Sequence, residues 1–309
     1  MIAILAPGQG SQAPGMFTPW LEVEGALDTI ERWSELTGLN LLRLGTEADA
    51  EEIKDTAITQ PLIVALTLLG FAELERRVSV PTDAVVAGHS VGELAAAAVA
   101  GVLSPDDAVL LASVRGKEMA AACALEPTGM AAVMGGDPDE VVAWLAGYDL
   151  VAANQNGAGQ IVAAGPLDAL DKIVEATERP ASKVIKLKVA GAFHTHFMEP
   201  AREALREKAK DVRVADPVRP LLSNLDGQVV SSGAEMLTRL VGQVTAPVRW
   251  DSCMATMASM GVGSTIELPP AGTLTNLAKR ELKGMTTAAL KTPADLEKLA
   301  DEIRNGSGS

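Results

Sequence analysis

Cysteine, histidine and aromatic residues are all scarce in this chain of 309 residues. Two cysteines, Cys123 and Cys253, are too few to staple a fold of this length, which excludes a disulfide scaffold. They read as small buried hydrophobes. Four Phe, four Trp and one Tyr leave no platform on which nucleic-acid bases could stack. Cations are outnumbered: 26 Lys and Arg against 40 Asp and Glu give a net charge of −14. That argues against a nucleic-acid binder relying on global positive charge. Three histidines without a companion Cys/His cluster give no metal site. No run of roughly 18 apolar residues occurs, so no membrane-spanning helix is expected. The apolar start, Met1 to Ala6, lacks a basic flank and stops at Pro7-Gly8, unlike a secretory signal. A cytoplasmic protein is the expectation.

What is abundant is small aliphatic material. Hydrophobic residues make up 48% of the chain and charged residues 21%, close to the globular average. Short apolar runs, Ile2 to Ala6 and Ala84 to Ala87, read as buried strands. They alternate with helical patterns, which predicts an α/β layered fold with a mainly parallel sheet. Thr59-Gln60-Pro61 reads as the opening of a long apolar helix to about Arg76, with Thr59 as cap. Ser104-Pro105-Asp106-Asp107 opens another, running to about Ala124. Between 126 and 189 the pattern is β-α-β-β-α-β, the split βαβ arrangement of ferredoxin-like domains, with a final strand over Lys183 to Val189. This predicts a discontinuous large domain, 1–125 and 190–304, interrupted by a small domain at 126–189. Thr273 to Leu282 is expected to be the last packed helix. Residues 305–309 read as a flexible tail or cloning scar.

The strongest chemical signal is Gly88-His89-Ser90-Val91-Gly92, which fits G-x-S-x-G between a strand and a helix. Such an elbow projects Ser90 as a nucleophile, with the Val91 N–H aimed at a developing oxyanion. The plainer alternative is a glycine-rich turn capped by Ser90. A serine needs a base. His89 is its chain neighbour and should diverge from it, which leaves His194 or His196; periodicity does not choose between them. Pro7-Gly8-Gln9-Gly10-Ser11-Gln12 follows the first strand, and its glycines allow close backbone approach to a ligand. Arg115 falls on the apolar face formed by Ala108, Leu111, Ala112, Met119 and Ala122. A guanidinium there needs an anion, either a protein carboxylate, Glu93 or Glu118, or a substrate carboxylate held bidentately.

Together these segments resemble the malonyl-CoA:acyl carrier protein transacylases, and more broadly the acyltransferase domains of fatty-acid and polyketide synthases. The resemblance rests on Gly8-Gln9-Gly10-Ser11-Gln12, Gln60-Pro61, Gly88-His89-Ser90-Val91-Gly92-Glu93, Arg115-Gly116, Gly191-Ala192-Phe193-His194, and Gln243 with Pro247-Val248-Arg249-Trp250, in order along nearly the whole chain. It implies an α/β-hydrolase-like large domain. It also implies that Ser90 is malonylated by malonyl-CoA and passes the group, by a ping-pong mechanism, to the phosphopantetheine thiol of acyl carrier protein. His194 would be the base, the N–H groups of Gln9 and Val91 the oxyanion hole, and Arg115 the clamp on the malonyl carboxylate. Gln243 would orient His194 through its main-chain carbonyl. Phe193 would select malonyl, and Asn156 and Gln160 would border the site. No cofactor is implied beyond the substrate and the partner's phosphopantetheine, and a monomer is expected.

The acidic chain must meet two acidic substrates, which calls for a local basic patch. Lys183, Lys186 and Lys188 form one candidate; Lys279, Arg280 and Lys283 form the other. The rival readings are an α/β-hydrolase, either esterase or thioesterase, and a free-standing acyltransferase of a polyketide pathway. The hydrolase chain order places an acid between serine and a late histidine. Here the histidine segment is followed by about a third of the chain, and no acid stands out as its partner.

Overall fold

The computed structural model describes residues 1–306. The first half contains β1 (Ile2–Ala6), α1 (Ala26–Thr37), α2 (Leu41–Thr46), α3 (Thr56–Arg77), β2 (Val85–Gly88), α4 (Gly92–Val99) and α5 (Pro105–Cys123). Then follow β3 (Thr128–Met134), α6 (Pro138–Ala146), β4 (Val151–Gln155), β5 (Gln160–Pro166), α7 (Leu167–Glu175) and β6 (Lys183–Lys186). The remainder holds α8 (Glu199–Ala209), β7 (Leu221–Leu222), β8 (Val229–Val230), α9 (Gly233–Gly242), β9 (Val248–Arg249) and α10 (Trp250–Ser259), then β10 (Ser264–Glu267), α11 (Thr273–Glu281), β11 (Thr286–Ala289) and α12 (Leu296–Gly306).

Two mixed sheets result. The six-stranded sheet runs β11-β10-β1-β2-β7-β8. Its pairs are parallel except the terminal β7–β8 hairpin. Its central strands are buried on both faces, which explains their continuous apolar runs. Ile4, Ala6 and Val86 pack under α3, α4 and α5, while Ala3, Leu5, Val85 and Ala87 pack against Trp250, Met254, Leu274 and Leu277 on the other side. The five-stranded sheet runs β6-β3-β5-β4-β9. Its first four strands are antiparallel neighbours. One face (Ala131, Val133, Ile161, Ala163) is covered by α6 and α7. The fifth strand, β9, comes from the larger part of the chain and pairs parallel with β4, Asn154 opposite Val248.

Several expectations need correction. The long apolar helix begins at Thr56, capped by the Asp55 side chain, which accepts the Ala57 N–H. Pro61 therefore sits inside α3, and Thr59 instead donates its hydroxyl to the Ile53 carbonyl. The final strand of the 126–189 segment stops at Lys186. Beyond α11 come one more edge strand and α12, whose Leu296, Leu299, Ala300 and Ile303 are buried. That last helix takes in residues 305 and 306, which were expected to begin the tail; 307–309 lie outside the described residues. α3 is long and apolar enough to cross a membrane by length and composition, but 78% of its apolar window is buried inside the protein. Cys123 is only half-buried, whereas Cys253 is fully buried.

Candidate active site

The C-terminal ends of β1 and β2 point into the cleft between the sheets, where open parallel sheets bind ligands. Gly8-Gln9 leaves β1 there and His89-Ser90 leaves β2. Together with α5, α11, the β4–β5 loop and the segment before α8, they line a cavity of about 190 Å³.

The serine elbow is tight for steric reasons. Ser90 has φ of 53°, in the left-handed region. A Cβ on Gly88 would lie 2.1 Å from the Gly92 carbonyl oxygen, and one on Gly92 would lie 2.3 Å from that of Ala6. Only glycine fits at either position. Ser90 Oγ lies 2.8 Å from His194 Nε2, and His194 Nδ1 lies 2.8 Å from the Gln243 carbonyl oxygen. A carbonyl only accepts, so the Nδ1–H donates to it and Nε2 is left as the acceptor for the serine proton. His194 also has a left-handed backbone, with φ of 61°. It is buried, and burial together with the nearby Arg115 charge pulls its pKa down to about 3. The imidazole is thus neutral in the resting site. His196 faces away and stacks on Phe197.

Arg115 is 2% exposed and its partners are all neutral. It donates to Gln60 Oε1 at 2.7 Å, to Gln243 Oε1 at 2.8 Å and to Ser90 Oγ at 3.3 Å. Among the described residues no carboxylate forms an ion pair with it, neither Glu93 nor Glu118. Burial without a direct counter-charge brings even this guanidinium down to about 10. Gln9 borders the same space and Val91 follows Ser90 directly; their N–H groups donate to no acceptor among the described residues. Gln9 anchors its side chain on Thr56 Oγ1. Phe193, Asn156 and Gln160 also line the cavity. Asn156 Oδ1 accepts from His89 Nε2 at 2.9 Å, and its amide nitrogen donates to Gln160 Oε1 at 3.0 Å. No group of three His, Cys, Asp or Glu side chains gathers as metal ligands among the described residues.

A family model, the acyl transferase domain, matches residues 4–300. The chain belongs to the acyl transferase family. The malonyl CoA-acyl carrier protein transacylase of Mycobacterium tuberculosis is 57% identical over 303 residues, covering 97% of this acyl transferase and 100% of the relative. The transacylase of the same name from Bacillus subtilis is 34% identical over 306 residues, 96% of this chain and 95% of its own. Among solved structures, the crystal structure of MCAT from Mycobacterium tuberculosis superposes with a TM-score of 0.93 at 56% identity, over 97% of this chain and 99% of that one. A malonyl-transacylase in complex with its type II PKS acyl-carrier protein superposes with a TM-score of 0.91 at 27% identity, over 97% and 99% of the two chains.

Of the residues singled out in the sequence, Gln9, Ser90, Arg115, Asn156, Gln160, Phe193 and His194 line the one cleft, Gln243 meets it through His194 and Arg115, Val91 adjoins Ser90 in the chain, and His196 lies outside. Two contributors, Gln60 and Asn224, were not assigned a role there, and a third, Glu93, was considered only as a direct partner of Arg115. Gln60 is the acceptor that holds one arm of Arg115. Asn224, after β7, holds both sides of the elbow, donating to the Gly88 carbonyl and accepting the Ser90 N–H. Glu93 is buried behind Gln243 and Asn224. Asn224 lies 134 residues from Ser90, and nothing in its local sequence announces the contact.

Proposed function

We propose that this acyl transferase moves a malonyl group from malonyl-CoA to the phosphopantetheine thiol of acyl carrier protein, through a malonyl-serine. One observation carries the reading: a buried guanidinium beside the nucleophile, held by neutral amides and short of an anion. An uncompensated buried charge is costly, and a substrate carboxylate facing it would supply the missing partner. Malonyl carries that carboxylate and acetyl does not, so the site discriminates by leaving a charge unpaired.

In the first half-reaction Ser90 Oγ attacks the thioester carbonyl while His194 Nε2 takes the hydroxyl proton. The Gln9 and Val91 N–H groups receive the oxyanion. Collapse expels CoA as its thiol, reprotonated from His194. In the second half the carrier thiol attacks the malonyl ester, its proton goes to His194, and Ser90 leaves with that proton. Burial is the larger cause of His194's weak basicity and the Arg115 charge the next. A malonyl carboxylate against Arg115 relieves the second, so the correct substrate strengthens its own base. Gln243 orients that base through its carbonyl, and Phe193 shapes the wall that excludes bulkier acyl groups. Each step uses this chain and its two substrates, and the reading requires no cofactor.

We read the architecture as an α/β-hydrolase-like domain, 1–125 and 190–304, carrying a ferredoxin-like insert at 126–189. The β3–β6 strand order and the antiparallel pairing support the insert. A monomeric cytoplasmic enzyme supplying fatty-acid extender units completes the proposal. A hydrolase reading is disfavoured because His194 is held by a backbone carbonyl rather than a carboxylate.

The test is intact mass after brief incubation with malonyl-CoA or acetyl-CoA. The expected result is a single malonyl adduct on the unsubstituted protein, absent from Ser90→Ala and reduced in Arg115→Ala, that transfers to added carrier protein. Steady hydrolysis without an adduct would reverse the assignment in favour of the hydrolase.

A further inference from the structure

Behind the catalytic residues lies a buried polar chain that the reaction itself does not use. Glu93 is 1% and Asn224 0% exposed. The Asn224 side chain donates to the Gly88 carbonyl at 2.7 Å and accepts the Ser90 N–H at 2.8 Å, gripping the elbow on both sides of its left-handed residue. The Asn224 N–H in turn donates to Glu93 Oε1 at 2.6 Å. The other Glu93 oxygen accepts from Gln243 Nε2, which also donates to the Ser90 carbonyl at 2.9 Å. Gln243 Oε1 accepts from Arg115 at 2.8 Å.

The directions of these bonds are dictated by chemistry. The Ser90 carbonyl only accepts and a guanidinium only donates, and both Glu93 oxygens face N–H donors even though burial raises that carboxyl to about 7. Gln243 lies between them, so its amide has one satisfactory orientation: nitrogen toward Glu93 and Ser90, oxygen toward Arg115. We infer that Glu93 is a positioning residue for substrate choice: through the side-chain amide of Gln243 it presents an acceptor to Arg115 and so aims the guanidinium, while Asn224 separately fixes the serine elbow. Resting on the malonyl reading of Arg115, this deepens it by naming what sets the clamp. It also gives Gln243 two separate duties, the carbonyl serving His194 and the side chain serving Arg115.

Glu93→Gln isolates the effect. The backbone N–H of Asn224 cannot turn over, so the new amide oxygen goes to it and the new NH2 faces Gln243 donor to donor. Gln243 escapes that contact only by shifting away or by turning over, which would set its oxygen against the Ser90 carbonyl and its NH2 against Arg115; either way the acceptor that aims Arg115 is disturbed. Asn224→Asp keeps an acceptor for the Ser90 N–H but sets oxygen against the Gly88 carbonyl, loosening the elbow whatever the acyl group.

The experiment measures acylation rates from malonyl-CoA and acetyl-CoA by intact mass, with melting temperature as a check on folding. Glu93→Gln should lower the malonyl-to-acetyl rate ratio about tenfold, the size of one lost hydrogen bond to a charged group. Asn224→Asp should lower both rates together and leave the ratio within about twofold, a difference under ~0.5 kcal/mol. A folded Glu93→Gln with an unchanged ratio overturns the inference. Should that variant not fold, Gln243→Met cuts the same link from its other end, and an unchanged ratio there overturns it equally. Failure of the malonyl reading itself looks different: no malonyl adduct on the unsubstituted protein.

Discussion

Phe193 and His194 are chain neighbours to which the proposed reaction gives separate duties, and both can be tested one residue at a time. The Phe193 ring lines the cavity and is almost fully buried, so it limits the space beside the acyl group. Phe193→Ser should lower the malonyl-to-methylmalonyl ratio of kcat/KM by admitting the branch methyl; an unchanged ratio would remove Phe193 as the selector. For His194 the sign of the pH effect follows from its depressed pKa of about 3 against an ordinary value of 6.5. Below pH 6.5 the unfolded chain binds a proton there that the folded chain refuses, so this residue makes stability fall as pH drops from 6.5 towards 3. The melting temperature of His194→Asn should fall less steeply over that window than that of the unsubstituted protein. Equal slopes would mean that His194 titrates normally in the fold. At this scale the sequence is legible where chemistry demands a local signature. Ser90 is marked by steric need for Gly88 and Gly92, and Arg115 by its place on an apolar face. Asn224 and Gln60 carry no such mark, because their roles arise only from contacts across 134 and 55 residues.

Helices and strands meet most closely where side chains are absent. A Cβ on Gly116 would lie 2.6 Å from the Thr56 carbonyl oxygen, a backbone atom of α3 that cannot step aside. This close approach lets Arg115 on α5 reach Gln60 on α3. Gly116→Ala should push the helices apart, cost about 1–3 kcal/mol of stability and lower malonylation. Thermal melting and adduct formation check it, and an unchanged melting temperature would show that the pair has slack. A long helix such as α5 is readable to within a residue or so at its bounds. The start of α3 is not, because Thr59-Gln60-Pro61 imitates an opening while Asp55 supplies the real cap. β8 and β9 have two residues each, too few to show a period. α12 is different: its apolar spacing is plain in the sequence and calls for a helix after the one read as last.

Taken whole, a protein of net charge −14 must attract an acidic carrier locally. Leu187 and Val189, just past β6, line the cavity on one side, and Thr273, Leu274 and Leu277 of α11 line it on another. Both lysine-bearing elements therefore border the cavity. Lys186 is paired with Asp171, which leaves Lys183 and Lys188 as the more available charges on the first. Reversing both to Glu should raise KM for carrier protein several-fold and flatten its rise with salt, while leaving malonyl-serine formation intact. An unchanged KM would move the landing site to Lys279, Arg280 and Lys283. The layered α/β plan is legible at this scale because strands and helices alternate. The joining of the small sheet to the rest through β9 is not, since it pairs residues 94 apart, Asn154 and Val248. That pairing matters to anyone who would exchange acyl preferences by chimera. A graft cut at 126 and 189 would carry four strands to a host whose own β9 must zip onto the incoming β4, next to the loop holding Asn156. Donor and host therefore need matched registers at that seam, and a cassette extended to include 248–249 is the safer unit of exchange.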